Sequence, residues 1–294
     1  MTTEKNHSSS PESKVLLLGC GDIGSRLAPR LQTNNCVVTG ARRRRVDDSP
    51  AIRYEQVDAR NKEQLASLLQ TGWDIIVITL TPTSYDDEGY RQGYVEPIQN
   101  LIASLKSEQQ PSLIMFVSST GVFGQNDGSL VDEHSETVPQ RFNGKRVLQA
   151  EELLRDSNLN SVCVRFSGIY GPGRECLISL AREKKWTETD KTQCTNRIHV
   201  DDCAGILAHL IEHYKNGKVL APIYLGSDSE PVSSWEIKQW LAQELGVIDN
   251  IDVNAYTGAM SNKRCSNQQL LKSGYEFIYP SYRDGYRAVL SANN

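Results

Sequence analysis

Blocks of consecutive apolar residues alternate along this chain with longer segments in which apolar residues recur at helical spacing. The first block covers residues 15–18 and runs directly into the glycine-rich segment 19–24, after which Ile23, Leu27 and Leu31 fall on one face of a helix. An apolar block, a glycine-rich turn and an amphipathic segment in that order are typical of the strand, turn and helix of a βαβ unit. The beginning of the chain therefore predicts an α/β protein.

The same alternation continues through the first half of the chain. The predicted strands are 36–40, 54–58, 74–79 and 113–117, and the predicted helices are 61–69 and 89–105. Strands that alternate with helices form parallel sheets with right-handed crossovers, and uninterrupted apolar strands are buried on both faces. This pattern predicts a Rossmann-type, doubly wound parallel sheet.

The glycines at positions 19, 21 and 24 match the GxGxxG spacing of a dinucleotide-binding turn. The first permits a sharp turn, the second lets the backbone approach a pyrophosphate, and the third lets the helix pack closely on the strand. The N-terminus of the following helix presents free N–H groups and a partial positive charge to the phosphates. A glycine-rich turn without a ligand is the alternative. The candidate cofactor-binding residues of this turn are Gly19, Cys20, Gly21, Asp22, Ile23 and Gly24.

The end of the second predicted strand indicates which nicotinamide cofactor is bound. NAD-binding folds place a carboxylate there, where it hydrogen-bonds the ribose and repels the additional phosphate of NADP. This chain instead has four consecutive arginines, 42–45, and guanidinium groups bind a 2′-phosphate through charge-assisted hydrogen bonds. Arg42 and Arg43 are therefore predicted to contact the phosphate of NADP, with NAD left open as the cofactor. A solvated basic loop is the alternative interpretation.

Ligands of a doubly wound sheet gather beyond the carboxyl ends of its strands. Asp58 and Ala59 lie at the end of the third predicted strand, and Leu80 and Thr81 follow the fourth. These four residues are predicted to line the cofactor site together with the glycine-rich turn.

Hydroxyl side chains follow the strand predicted at 113–117. Ser119 and Thr120 thus fall at the same rim, where a hydroxyl is able to hydrogen-bond a substrate oxygen. The alternative is that they satisfy backbone groups of a turn, which is a common role of Ser and Thr. We predict that Ser119 orients the reacting oxygen of a substrate.

Composition and charge exclude several classes of protein. With 294 residues, the chain is long enough for one large α/β domain and a smaller appended one. Its net charge of −4 argues against a nucleic-acid partner, and no apolar run approaches the ~18 residues of a membrane span. The seven cysteines are an odd number without metal-ligand spacing, which favours reduced thiols in a cytoplasmic enzyme without a metal site. Residues 1–13 are polar, Ser-rich and predicted to form a disordered tail.

Three later motifs carry a resemblance to a known family. Residues 118–124 read SSTGVFG, residues 164–174 read VRFSGIYGPGR, and residues 198–202 read IHVDD. Together with the glycine-rich turn, these resemble the extended, NAD(P)-dependent epimerase/dehydratase branch of the short-chain dehydrogenase/reductase superfamily. Phe123 stands where the family's SSxxVYG stretch has a tyrosine.

The resemblance implies a domain organisation and a class of partner. A Rossmann domain would cover residues 14–165, and a small C-terminal subdomain on the substrate side would cover 166–294, with a late strand and helices partly returning to the sheet. Only residues 175–197 separate two of the motifs, whereas sugar-nucleotide enzymes of this branch have a long insert there, so a small, non-nucleotide substrate is expected. Relatives often dimerise through two helices, here 89–105 and 146–154, and both a homodimer and a monomer are left open.

One departure from the family concerns catalysis. Its YxxxK pair has no counterpart on the corresponding helix. Alignment on Glu151 places Asn143 and Val147 at the Tyr and Lys positions. A slip of one residue places Phe142 and Arg146 there. Neither register supplies the phenol that, in the family, removes the proton of the reacting alcohol.

Other side chains are candidates for the missing role. Lys145 and Arg146 are able to bind ribose or to lower a barrier electrostatically, and Tyr170 is a candidate proton carrier, with core packing as its alternative. His199 is interpreted as structural. The chain is therefore predicted to be an NADP-preferring oxidoreductase or epimerase-like enzyme. The alternative is a cofactor sensor or regulatory protein that kept the nucleotide site and lost catalysis.

Overall fold

The computed structural model describes residues 12–106, 110–247, 252–254 and 262–292. Most of the predicted tail, residues 1–11, lies outside the described residues, and the first strand already begins at Ser13. In chain order, the strands are β1 Ser13–Leu18, β2 Cys36–Arg42, β3 Arg53–Gln56, β4 Ile75–Ile78, β5 Leu113–Ser119, β6 Leu130–Val131, β7 Ser161–Phe166, β8 Gly168–Tyr170, β9 Lys185–Thr187, β10 Cys194–Thr195, β11 Arg197–His199, β12 Ile223–Gly226, β13 Val232–Ser233, β14 Asp252–Asn254 and β15 Arg264–Cys265.

The helices follow the predicted pattern with one interruption. In chain order they are α1 Asp22–Thr33, α2 Lys62–Leu69, α3 Asp87–Tyr90, α4 Glu96–Ser104, α5 Phe142–Asp156, α6 Cys176–Arg182, α7 Val200–Lys215, α8 Ser234–Glu244, α9 Gln268–Lys272 and α10 Tyr282–Ala292. The helix predicted over 89–105 is divided, because a π-helical turn, Arg91–Val95, joins α3 to α4. The N-terminus of α2 is capped by Asn61, whose side chain accepts the N–H of Gln64.

Seven parallel strands form the main sheet in the order β12, β7, β5, β4, β1, β2, β3. β1 lies between β2 and β4, with Leu16 opposite Thr39 on one side and Ile76 on the other. The strand order reverses at β1, because the chain first proceeds outward to β3 and then returns to β4. The predicted Rossmann-type, doubly wound fold is confirmed, and its switch point lies at the carboxyl ends of β1 and β4.

Helices cover both faces of this sheet. On one face, α1 and α7 contribute Leu31 and Ile211 to an apolar cluster. On the other face, α2, α4 and α5 contribute Leu65, Leu101 and Leu154. Because both faces are covered, the central strands contain continuous runs of apolar residues, which explains the uninterrupted apolar blocks of the sequence.

A third apolar cluster lies in the C-terminal part of the chain. It is built from β8, α6, α8 and α10 and includes Tyr170, Ile178, Leu241 and Tyr286. The late strand β12 returns to the main sheet beside β7, and α7 packs on α1. The predicted boundary between residues 165 and 166 falls between the last two residues of β7, and the division into two domains stays a prediction.

Candidate functional site

The turn between β1 and α1 contains three glycines with different surroundings. Gly19 has a φ of +87°, and a Cβ on it would lie 2.9 Å from the Cα of Leu80. A Cβ on Gly24 would lie 2.9 Å from the Sγ of Cys20, so α1 packs closely on the turn. A Cβ on Gly21 would meet nothing nearer than a carbonyl oxygen at 3.7 Å. The packing of the protein itself thus requires Gly19 and Gly24, whereas Gly21 leaves space beside its backbone for a ligand.

The other three residues of the turn have their side chains engaged within the protein. Cys20 is buried, its N–H donates to a carbonyl of β2 at 3.0 Å, and burial raises the pKa of its thiol. Ile23 is buried in the core. Asp22 begins α1, and its carboxylate accepts hydrogen bonds from Arg26 at 2.8 Å and from Arg174 at 3.0 Å. The Cys20 side chain therefore serves packing.

A cleft of about 690 Å³ opens in front of this turn. It lies at the carboxyl ends of β1, β2, β3 and β4, where a doubly wound sheet binds its ligands. The residues predicted for the cofactor that line it are Gly19, Cys20, Gly21, Arg42, Arg43, Asp58, Ala59, Leu80 and Thr81. Asp22, Ile23 and Gly24 form the first turn of α1 and do not line this cleft.

Basic side chains dominate the cleft beyond the end of β2. Arg42 ends the strand and is half-buried, while Arg43 and Arg44 are exposed and line the same cleft. The carboxylate of Asp58 accepts the N–H of Arg60 at 3.0 Å and its guanidinium at 2.6 Å, and these hydrogen bonds lower the pKa of Asp58. The charge of Asp58 is thus balanced by Arg60. The arginines that end and follow β2 give the cleft a positive field suited to phosphate groups.

The hydroxyl-bearing turn after β5 lies at the same end of the sheet. Ser119 Oγ accepts the N–H of Gly121 at 3.0 Å and so caps a short 3-10 turn, Thr120–Val122. This is the turn-capping role considered as the alternative. Because an accepting hydroxyl keeps its own proton, Ser119 remains able to donate to a substrate oxygen. Thr120 is buried.

A buried ion pair joins the base of this turn to α5. Ser118 Oγ donates to Glu151 at 2.5 Å, and Glu151 accepts two hydrogen bonds from Arg165 at 3.0 and 2.7 Å. The guanidinium of Arg165 also covers the ring of Phe123 at 5.0 Å from its centroid. The side chains of Glu151 and Arg165 are only 5% and 4% exposed. This network holds the strand that carries Ser119 against α5.

The first turn of α5 lies directly against the turn of Ser119. A Cβ on Gly144 would overlap the carbonyl oxygen of Gly121, so glycine is required for this approach. Asn143 precedes Gly144 in the chain and is half-buried, and Val147, one helical turn further, is buried. Asn143 and Val147 occupy the Tyr and Lys positions of the family motif in one of the two registers. This part of the site therefore has no phenol and no ammonium group of its own.

The basic residues of α5 lie outside the cleft. Lys145 is exposed. Arg146 donates two hydrogen bonds to Asp87 on α3, at 2.8 and 2.6 Å. Neither residue lines the cleft in front of the glycine-rich turn. The guanidinium of Arg146 thus ties α5 to α3, a role that the sequence did not indicate.

An aromatic cluster that the sequence analysis did not single out borders α5. Tyr90 packs edge-on against Phe142 with ring centroids 5.5 Å apart, and its ring lies 5.8 Å from that of Tyr85 and 5.6 Å from that of Tyr94. Burial raises the pKa of the Tyr90 phenol, and the neighbouring side chain of Asn143 opposes the shift.

The π-helical turn after Tyr90 brings this helix close to the cleft. A Cβ on Gly93 would lie 2.6 Å from the Cα of Pro82, and Gln92 and Gly93 both line the cleft. π-helical turns occur frequently at functional sites. The feature of the sequence that marks this helix as part of the site is its tyrosines. They follow the cofactor-side loop directly, and a glycine lies between two of them.

Tyr170 belongs to the third apolar cluster. Its ring stacks on Tyr286 with centroids 4.1 Å apart and lies edge-on to His199 at 5.3 Å. Its hydroxyl lies against Gly285 and has no hydrogen-bond partner among the described residues, and burial raises the pKa of the phenol. This is the core packing considered as its alternative. His199 accepts the N–H of Asp201 at 3.2 Å and caps α7, which is a structural role.

Metal sites and membrane-spanning helices were sought in the described part of the chain. Within it, no three His, Cys, Asp or Glu side chains come together in a way that would hold a metal ion. None of its helices combines the length and the apolar character that crossing a membrane requires.

Comparison with known proteins agrees with this geometry. The sequence profile described as NAD-dependent epimerase/dehydratase family matches residues 15–226. A solved structure from Methylobacillus flagellatus, described as being of the NAD-dependent epimerase/dehydratase type, is 36% identical with a TM-score of 0.80, over 96% of this chain and 98% of that one. No curated protein matches the chain significantly.

More distant structures share the fold. UDP-glucuronic acid 4-epimerase from Bacillus cereus, in complex with UDP-glucuronic acid and NAD, is 20% identical with a TM-score of 0.79, over 95% of this chain and 98% of that one. A double mutant of a dTDP-glucose 4,6-dehydratase from Streptomyces venezuelae with NAD bound is 18% identical with a TM-score of 0.78, over 95% of each chain. At these identities the similarity concerns the fold alone.

Proposed function

The chain belongs to the NAD-dependent epimerase/dehydratase family, and from this premise we propose that it binds NADP in preference to NAD and acts as an oxidoreductase or epimerase-like enzyme on a small, non-nucleotide substrate. The observation that carries the NADP preference is the end of β2, where Arg42, Arg43 and Arg44 line the cleft and no carboxylate follows the strand before Asp47. A guanidinium attracts a 2′-phosphate, whereas a carboxylate at this place would repel it.

The residues of the cleft fit a dinucleotide. Gly21 leaves its backbone open on the side where a pyrophosphate would approach, and α1 begins directly after it. The first N–H groups of a helix have no partner within the helix and bind phosphate oxygens. Arg42 and Arg43 would hold the 2′-phosphate, and Asp58 and Ala59 would lie beside the adenosine end.

The chemistry that the cofactor supplies when bound is the transfer of a hydride. Ser119 would donate its hydroxyl proton in a hydrogen bond to the substrate oxygen, because its lone pair already accepts from Gly121. Tyr90 would carry the proton that this oxygen gains or loses. Its phenol lies beside Asn143, which occupies the position of the family's catalytic tyrosine in one of the two registers. At neutral pH the phenol is protonated and has a proton to donate; burial makes it a weaker acid, and the Asn143 side chain opposes that shift.

A second candidate function is a cofactor sensor without catalysis. One observation favours it: among the groups considered for proton transfer, Arg146 is bound to Asp87 and Tyr170 is buried in an apolar cluster. The two functions share the cofactor site and differ only in turnover. A cytoplasmic location and a homodimer through helices 89–105 and 146–154 are further expectations that accompany either one.

The cofactor assignment is tested by calorimetric titration of NADPH and NADH into the wild type, Arg42→Glu and Arg45→Glu. Arg45 belongs to the same arginine run but does not line the cleft, which makes it a matched control. We expect Arg42→Glu to weaken NADPH about tenfold or more and NADH less than twofold, with Arg45→Glu close to the wild type. An equal loss for both cofactors would remove the phosphate assignment.

Turnover then separates the enzyme from the sensor. NADPH consumption is followed by absorbance over a panel of small carbonyl compounds, with Ser119→Ala as the matched variant. Consumption that Ser119→Ala abolishes while NADPH still binds supports the enzyme. Tight NADPH binding without consumption across the panel, unchanged in Ser119→Ala, favours the sensor.

A further inference from the structure

Arg174 lies against the start of α1, although it comes from the C-terminal part of the chain. Its Nε donates to the carboxylate of Asp22 at 3.0 Å, and its side chain is 37% exposed. Asp22 follows Gly21 directly, and Gly21 is the glycine that leaves space for a ligand. A guanidinium from the turn between β8 and α6 is thus held beside the part of the glycine-rich turn that a diphosphate would approach.

The turn that carries Arg174 has a backbone conformation that fixes its position. Gly171 and Gly173 have φ values of +140° and +77°, which side-chain-bearing residues rarely adopt. The N–H of Arg174 donates to the carbonyl of Gly171 at 2.9 Å, and a Cβ on Gly171 would lie 2.7 Å from a side-chain carbon of Val200. The turn therefore rests on the start of α7 and directs Arg174 towards α1.

The pairing of Asp22 does not depend on Arg174 alone. One oxygen of Asp22 accepts from Arg26, and the other accepts from Arg174. Arg26 also donates to Asp201 at 2.7 Å. If Arg174 turned from Asp22 to another anion, the carboxylate would keep a cationic partner. This lowers the cost of such a movement, because no charge is left unpaired.

We propose that Arg174 binds the diphosphate of the dinucleotide cofactor and that Asp22 competes for the same guanidinium, pairing with it while the cofactor is absent. The inference rests on the proposed function and assigns this site a residue from outside the Rossmann half of the chain. A diphosphate beside Gly21 would bring negative charge close to the Asp22 carboxylate, and a cation between them turns this repulsion into attraction. The planar, multiple donors of a guanidinium suit phosphate oxygens.

The test uses two ligands that share the 2′-phosphate and differ in the diphosphate. NADPH and adenosine 2′-monophosphate are titrated by calorimetry into the wild type, Arg174→Gln, Arg174→Lys and the control Arg155→Gln, in which an exposed arginine paired with Asp156 is removed. We expect Arg174→Gln to weaken NADPH about tenfold and adenosine 2′-monophosphate less than twofold. Arg174→Lys should recover part of the NADPH affinity, and Arg155→Gln should bind both ligands as the wild type does.

A second variant changes Asp22, the other partner of the same ion pair. Asp22→Asn removes the repulsive carboxylate and releases Arg174, so it should bind NADPH at least as tightly as the wild type, and it keeps the proposal testable if Arg174→Gln does not fold. The proposal is overturned if Arg174→Gln leaves NADPH binding unchanged, if it weakens both ligands equally, or if Asp22→Asn weakens NADPH. A wild type that binds neither NADPH nor NADH would instead refute the proposed function itself.

Discussion

The side chain of Asn143 on α5 lies beside the phenol of Tyr90 on α3 and opposes the rise that burial causes in the pKa of that phenol. Asn143 precedes Gly144, which contacts the carbonyl of Gly121 beside Ser119. A phenol from a neighbouring helix therefore lies beside the residue that occupies the position of the family's catalytic tyrosine in one of the two predicted registers. The π-helical turn that follows Tyr90 packs on α5, and its residues Gln92 and Gly93 line the cleft.

This arrangement predicts the effect of removing one hydroxyl group. With any carbonyl compound that the wild type reduces, Tyr90→Phe should lower kcat about 10²-fold or more, which is typical for loss of a general acid. The Kd for NADPH should change less than twofold, because Tyr90 does not line the cofactor cleft. Tyr85→Phe is the matched control, since its ring packs against Tyr90 but is 70% exposed. A Tyr90→Phe variant with wild-type kcat would remove the role assigned to this phenol.

The glycine-rich turn predicts opposite outcomes for two alanine substitutions. Gly21→Ala adds a methyl group that meets only a carbonyl oxygen at the ordinary contact distance of 3.7 Å, so the free energy of unfolding should change by less than about 1 kcal/mol while NADPH binding is lost. Gly24→Ala forces a methyl group against the buried Cys20, so it should destabilise the protein by about 1–3 kcal/mol. Urea unfolding and NADPH titration of both variants measure the two effects. Equal destabilisation by the two substitutions would contradict the distinction between a ligand-facing and a packing glycine.

A buried carboxyl group predicts how stability depends on pH. Burial raises the pKa of Asp228 from 3.8 to about 8, the nearby charges of Asp202 and Asp284 act in the same direction, and Arg197 opposes them. Because the folded state keeps a proton that the unfolded state releases, this stabilisation is complete below about pH 4 and is lost as the pH rises towards 8. The slope of the free energy of unfolding should approach −1.4 kcal/mol per pH unit, a value of about 2.3RT.

Urea unfolding at pH 5, 6.5 and 8 measures this dependence. Asp228→Asn should flatten the slope, since an amide does not titrate. Asp156→Asn, at an exposed position, should leave the slope unchanged. A wild-type slope that persists in Asp228→Asn would show that other groups cause it.

The order of elements and the cofactor side of the site were readable from the sequence. The apolar blocks around residues 15–18 and 74–79 became adjacent central strands, because strands buried on both faces need no polar positions. The residues named from the strand ends, such as Arg42, Asp58 and Thr81, line one cleft, because parallel strands deliver their carboxyl ends to the same edge. The local apolar pattern and the parallel topology of the sheet are therefore sufficient to predict the order of the elements and the residues that line the cleft at the strand ends.

The other side of the site depended on contacts between residues distant in sequence. Arg146 is bound by Asp87, which lies 59 positions earlier, and Arg174 reaches Asp22 across 152 positions. No local pattern encodes such pairs, because either partner would also be acceptable on a solvated surface.

By itself, the sequence determined the doubly wound fold and the glycine-rich cofactor turn, since both follow from the period of apolar residues and from the backbone freedom of glycine. Only the tertiary structure decided which charged and phenolic groups meet. Arg146 is paired with Asp87, Tyr170 is buried in an apolar cluster, and Tyr90 lies beside Asn143. The physical reason is that hydrogen bonds and ion pairs depend on distance and orientation in space, which the chain acquires only when its helices pack on the sheet.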